Sequence, residues 1–192
     1  MILVIDNYDS FTYNLVHFVE DITGVPPLVM RNDRIDMAQA ELCPHIILSP
    51  GPGLPEEAGD LMKFIGTFYD SKNILGVCLG HQALCRFFGG SLLNLDAVQH
   101  GVSTPVRVLE DEDLYEGLPG EIPVGRYHSW VADPVTLPSC LRPTAWDRAG
   151  HIMSFRHRSL PVTGVQYHPE SVLTPQGKQI LRNWLKHSGY FR

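Results

Sequence analysis

Asn73-Ile74-Leu75-Gly76-Val77-Cys78-Leu79-Gly80 is an apolar run that ends on a cysteine set between glycines. The run is short and bounded by polar residues, as a buried strand requires, and from Leu79 to Phe88 apolar residues recur at helical spacing. Cys78 therefore stands where a strand turns sharply into a helix. Such a turn is crowded; glycines on either side of a nucleophile relieve the crowding and expose the reactive atom at the edge of a sheet. The same turn puts the sulfur at a helix N-terminus, where free N–H groups and the helix dipole favour the thiolate, the form that attacks.

Outward from this turn, strand and helix patterns alternate through the first half of the chain. Ile2 to Ile5 reads as a strand, followed by a helix with the stripe Phe11, Leu15, Phe18, Val19 and Ile22 that ends at Gly24. Leu28 to Arg31, a short helix near Ile35 to Leu42, His45 to Leu48 and a helix over Leu61 to Tyr69 complete the series before the Cys78 turn. Such alternation predicts an α/β fold with a mostly parallel central sheet and helices on both faces. From Ser91 to Phe155 short alternating runs around Val102, Val106, Val124, Val131, Thr144 and Ile152 predict additional antiparallel strands, beside or over the parallel sheet. Thr174-Pro175 opens a last helix with proline at its first position and the stripe Ile180, Leu181, Trp184 and Leu185. No repeat or linker interrupts the chain, so 1–192 is expected to form one domain.

A thiolate needs a group that takes up a proton and returns it to the leaving group. His168 follows the alternating stretch Val162 to Tyr167, hence another strand exit, and Glu170 stands two residues on, placed to orient the second ring nitrogen. Taken singly, Cys78 is a small buried hydrophobe and His168 a loop residue; the two strand exits together reverse that preference. His81 and His128 are the rivals. His81 falls inside the helix after the turn and is expected to pack or hydrogen-bond locally; His128 has no carboxylate as close as Glu170 is to His168. Ser49-Pro50-Gly51-Pro52-Gly53 follows the strand His45 to Leu48, and its prolines and glycines make a rigid loop able to bring a bare N–H to a ligand. The N–H groups of Gly53 and Leu79 are candidates for an oxyanion hole. Glu56-Glu57 reads as a solvated helix start and Arg156-His157-Arg158 as a solvated turn.

Asp6-Asn7-Tyr8-Asp9-Ser10-Phe11-Thr12, Ser49 to Gly53, Gly76 to Gln82, Tyr127-His128-Ser129 and Gln166 to Ser171 resemble the class I (triad) glutamine amidotransferases, over nearly the whole chain. The resemblance implies a flavodoxin-like three-layer fold, with Cys78 as nucleophile, His168 as general base and acid, and Glu170 as orienter. It implies that Gly51, Pro52, Gly53, Gln82, Ser129 and Trp130 bind glutamine, several through backbone groups. The opening Asp-Asn-Tyr-Asp-Ser-Phe is similar to the glutaminase subunits that serve anthranilate synthase and aminodeoxychorismate synthase, anthranilate being favoured. That likeness implies a large chorismate-binding partner subunit that holds magnesium, with no cofactor in this chain. Delivery through a closed path is sensible chemically, because free ammonia at neutral pH is mostly non-nucleophilic ammonium. The partner is expected near the Pro50 to Gly53 loop, the Asn7 to Phe11 turn and the Leu95 to Thr104 stretch. Many members carry lysine after the segment matching His100-Gly101, where this chain has Val102. The readings from other classes are a stand-alone γ-glutamyl thiol hydrolase and a non-catalytic binding subunit.

Composition bounds these expectations. A net charge of -6, from 15 Lys+Arg against 21 Asp+Glu, opposes a phosphate-neutralising surface, so no nucleic acid is expected. Cys43, Cys78, Cys85 and Cys140 show no close spacing, indicating neither a metal site nor a disulfide framework, and fit a cytoplasmic location. No signal-like or membrane-spanning run is present in the sequence.

Overall fold

The computed structural model describes residues 1–191. β1 (Ile2–Asp6), α1 (Thr12–Thr23), β2 (Leu28–Arg31), α2 (Met37–Glu41), β3 (His45–Leu48), α3 (Leu61–Phe68), β4 (Asn73–Val77) and α4 (Leu79–Phe87) come first. β5 (Leu92–Asn94), β6 (Val102–Val108), β7 (Glu121–Arg126), β8 (Trp130–Ala132), β9 (Leu141–Asp147), β10 (Ile152–His157), β11 (Val162–Val165) and α5 (Gly177–His187) follow. One nine-stranded sheet runs β2-β1-β3-β4-β11-β10-β9-β6-β7. Its first five strands are parallel and its last four antiparallel. Five of the six positions read as antiparallel strand extend this sheet sideways; Val131 instead lies in the separate β5-β8 ribbon.

Strand periodicity builds the layers. In β1, Ile2 and Val4 join one core with Leu15 and Val19 of α1 and Ile180 and Leu181 of α5. Leu3 and Ile5 point the other way, to Phe64 of α3 and Leu84 of α4. A strand covered on both faces has no polar side, and β1 is buried throughout. Gly24, at φ 74°, closes α1 in the left-handed region, its N–H bonded to Glu20 O.

The parallel strands have the flavodoxin-like order, reversing direction of winding between β1 and β3. Ligand crevices form there, outside the carboxyl ends of the strands. The Asn7 turn after β1, the Ser49–Gly53 loop after β3, Cys78 after β4 and His168 after β11 all lie at those ends.

Three local expectations are corrected. α5 begins at Gly177, so Pro175 is not its first residue. The Thr174 hydroxyl bonds Gly125 N and His168 O, which locks Thr174 into a turn closed by Gly177 N–H to Thr174 O. Glu56 and Glu57 belong to a single 3-10 turn, Pro55–Glu57, and the Glu57 carboxylate accepts from Leu54 N. Arg156 and His157 are the end of β10 rather than a solvated turn, with Arg156 paired to the buried Glu112 at 3.2 Å.

Candidate active site

Gly76 and Gly80 make the Cys78 turn possible. A Cβ on Gly76 would lie 2.5 Å from Gly80 O, and one on Gly80 would lie 2.5 Å from Leu48 O. Backbone therefore packs on backbone where β4 enters α4. Cys78 itself adopts φ 52° and ψ -99°, a conformation closed to most side chains. Leu79 is the first residue of α4, so its N–H has no acceptor within the helix.

The loop after β3 is held by the turn after β1. Asn7 N donates to Ser49 Oγ at 2.9 Å, and Asn7 Nδ2 donates to Ser49 O at 2.8 Å. Asn32 Nδ2 donates in turn to Asn7 Oδ1, while Asp6 Oδ1 accepts from Tyr8 N and Thr12 Oγ1. Gly51 has to be glycine, since a Cβ there would sit 2.5 Å from Leu79 Cδ2 and 2.6 Å from Asn7 Cβ. The Asp-Asn-Tyr-Asp-Ser-Phe-Thr stretch thus acts as a clamp on the loop.

A cavity of about 160 Å³ is lined by Gly51, Pro52, Gly53, Cys78, Gln82, Tyr127, His128, Ser129 and Trp130. All six residues named for glutamine binding border it, together with Cys78. His168 and Glu170 lie behind, both essentially buried, with His168 Nδ1 2.7 Å from Glu170 Oε1. Burial alone would push His168 towards the neutral form. The facing Cys78 and Glu170 outweigh it and hold the pKa of His168 well above the ordinary value. His168 N bonds Gly125 O, tying the loop to the end of β7. Gln82 Nε2 donates to Trp130 O and to Gln166 Oε1, so only Gln82 Oε1 is left for a ligand. Among the described residues no group of three or more His, Cys, Asp or Glu side chains is disposed to hold a metal ion.

The family profile described as glutamine amidotransferase class-I matches residues 3–188. The chain belongs to the class-I glutamine amidotransferase family. Aminodeoxychorismate/anthranilate synthase component 2 of Bacillus subtilis is 44% identical over 188 residues, covering 97% of this chain and 96% of its own length. Aminodeoxychorismate synthase component 2 of Escherichia coli is 45% identical over 187 residues (96% and 99%). Anthranilate synthase component 2 of Pseudomonas aeruginosa is 44% identical over 199 residues (100% and 98%). The crystal structure of a GMP synthase component from Thermoplasma acidophilum superposes with TM-score 0.87 at 29% identity, covering 98% of this chain and 94% of that one.

The two histidines near this amidotransferase cavity have opposite electrostatics to His168. Arg126 Nε can only donate, so at 3.2 Å it makes His128 Nε2 an acceptor and leaves the ring proton on Nδ1. Burial, then Arg126 and His168, press the pKa of His128 down to about 3. His81 packs on Phe155 at 4.4 Å between ring centroids and leaves both ring nitrogens without a hydrogen-bond partner. Burial and the nearby His128 lower its pKa to about 3 as well. It packs locally, as read, but makes no local hydrogen bond.

Sequence reasoning missed several residues of the amidotransferase site. Phe11, assigned to a helix stripe, precedes α1 and meets the His168 ring edge-on at 5.3 Å; Tyr127 does so at 4.9 Å. Arg126, whose NH1 bonds Asp147 Oδ2 at 2.8 Å, passed unnoticed because its partners come from distant strands. Leu95 N, Gln99 N and Gly101 N bond Ser129 O, His128 O and Arg126 O, so the 95–101 segment backs the cavity wall. Val102 opens β6 opposite Arg126.

Proposed function

We propose that the chain is the glutaminase subunit of a chorismate-aminating synthase. Cys78 attacks the carboxamide carbon of glutamine, and the oxyanion that forms is received by the N–H groups of Gly53 and Leu79. His168, charged beside the thiolate, hands its proton to the departing nitrogen, and ammonia leaves a γ-glutamyl thioester on Cys78. His168 then takes a proton from water, which attacks the thioester and releases glutamate and the thiol. Glu170 keeps the imidazole aligned through both halves. Gly51, Pro52, Gln82, Ser129 and Trp130 hold the amino acid end of the substrate.

The observation that carries this reading is the His168 and Glu170 pair set behind Cys78, at the floor of a cavity bordered by all six proposed binding residues. The component 2 names of the relatives support a large partner subunit that binds chorismate with magnesium, and a single-domain role for this chain. Its four cysteines are all free, which supports work in a reducing cytoplasm. Among the described residues no helix is long and apolar enough to cross a membrane. Anthranilate is the favoured product, with aminodeoxychorismate, or service to both, as the second reading; one relative bears both names.

Cys78→Ser tests the chemistry. In the complex with its partner it is expected to abolish amination from glutamine and to leave amination from ammonia intact. Loss of both would make Cys78 an assembly or structural residue. The amine formed from chorismate by the captured complex assigns the product, and strong glutaminase activity without any partner would favour the stand-alone hydrolase.

A further inference from the structure

Gln166 is fully buried beside the nucleophile and has no part in the steps above. Its amide lies between two contacts. Gln166 Oε1 accepts from Gln82 Nε2 at 3.3 Å, and Gln166 Nε2 lies 3.7 Å from Cys78 Sγ. A side-chain amide can be turned over, so the contact with sulfur means a donor only if something settles the orientation. The main chain does so. Trp130 O can only accept, and it lies 2.9 Å from Gln82 Nε2, which makes that end of Gln82 the NH2 group. The second hydrogen of that group points at Gln166, so the Gln166 atom facing it is the carbonyl oxygen. The opposite end of Gln166, the end that meets Cys78, is therefore its NH2.

We propose that Gln166 is a thiolate-holding residue of this active site, its amide N–H donated to Cys78 Sγ and aimed there by Gln82 and the Trp130 carbonyl. A donor on the sulfur favours the charged form over the neutral one. It also favours the sulfur as leaving group when water opens the thioester, since the thiolate regains the bond. Because Trp130 O belongs to the wall of the cavity, the chain Trp130, Gln82, Gln166, Cys78 connects substrate contact with nucleophile charge. The proposal rests on the reading of Cys78 as the nucleophile.

The test is the pH dependence of Cys78 alkylation by iodoacetamide, followed on the Cys78 peptide by mass spectrometry, in the full chain and without substrate. The wild-type midpoint is expected below the ordinary thiol value of about 8.5. Gln166→Met, similar in length and without a donor, is expected to raise the midpoint by about one unit and to slow alkylation at pH 7 about tenfold. In glutamine hydrolysis it should lower kcat more than it changes KM. A reduced activity with an unmoved midpoint would make Gln166 only a packing residue and overturn the proposal. Should Gln166→Met fail to fold, Gln82→Met, which removes the group that aims Gln166, must move the midpoint in the same direction; no movement overturns the proposal. A wild-type midpoint at the ordinary thiol value would overturn the nucleophile assignment itself, a failure distinct from the other two.

Discussion

Glu170 Oε1 lies 2.7 Å from His168 Nδ1, and neither side chain reaches solvent to any useful extent. The pair is two residues apart, with Pro169 between, so the bond is built by the local chain and then sealed by packing. Its other carboxylate oxygen, Glu170 Oε2, has no hydrogen-bond partner, so the carboxylate is directed at the imidazole rather than at a wider network. Glu170→Gln is expected to keep the fold, leave KM for glutamine nearly unchanged and lower kcat about 10²-fold or more. Steady-state glutaminase kinetics beside a melting curve check it, and an unchanged kcat would remove Glu170 from the mechanism.

Acid should weaken the fold through His81 and His128. Both have folded pKa values near 3 against 6.5 for the free side chain, so below pH 6.5 the unfolded chain binds protons that the folded chain refuses. Their contribution is full above pH 6.5 and is lost as pH falls towards 3. His168, with its pKa raised, has the opposite sign: its contribution is full below 6.5 and disappears as pH rises through the folded value. Urea unfolding at pH 6.5 and pH 5 should show a loss of about 2 kcal/mol for each depressed histidine. In His81→Leu that acid sensitivity should shrink by about one histidine's share, and an unaltered slope would contradict the buried neutral ring.

Two glycines should respond differently to alanine. Gly80→Ala drives a Cβ to 2.5 Å from Leu48 O, a backbone atom of a buried strand, and should cost about 3 kcal/mol or more, lowering Tm by about 6 to 12 °C. Gly24→Ala meets nothing within 4 Å and bears only the left-handed φ of 74°, a cost of about 1 kcal/mol. Paired melting curves decide, and equal shifts would show that space at the Cys78 turn is not limiting.

Arg126 and Asp147 each expose only 6% of their side chains, so Arg126→Met leaves a carboxylate with few remaining partners in a buried place. The expected loss is about 3 kcal/mol in chemical denaturation. Removing the guanidinium should also raise the pKa of His128, readable from its imidazole resonances by NMR. Lys178→Met breaks the Lys178 and Asp21 pair, whose side chains are 45% and 61% exposed, and should leave the denaturation midpoint unmoved.

The elements and the chemistry-bearing turns were legible because their signals are local. The strand before Cys78, the glycines around it, the loop after β3 and the spacing of His168 from Glu170 each depend on neighbours within a few residues. α5 was placed too early because Thr174 looks like a helix cap, and only Gly125 and His168 reveal that its hydroxyl is already engaged. Gln166 stood in a motif without a role, since its partners stand 84 and 88 residues away in the chain.

By itself the sequence determined the alternation of strand and helix, the strained exposure of Cys78 and the bond between His168 and Glu170, all consequences of backbone sterics and short-range spacing. Only the tertiary structure decided which side of the cavity each histidine faces, which amide is turned to the sulfur and where the antiparallel strands join the sheet. Those outcomes depend on contacts between residues far apart in the chain, and their energies come from burial and from charges brought together only when the sheet is assembled.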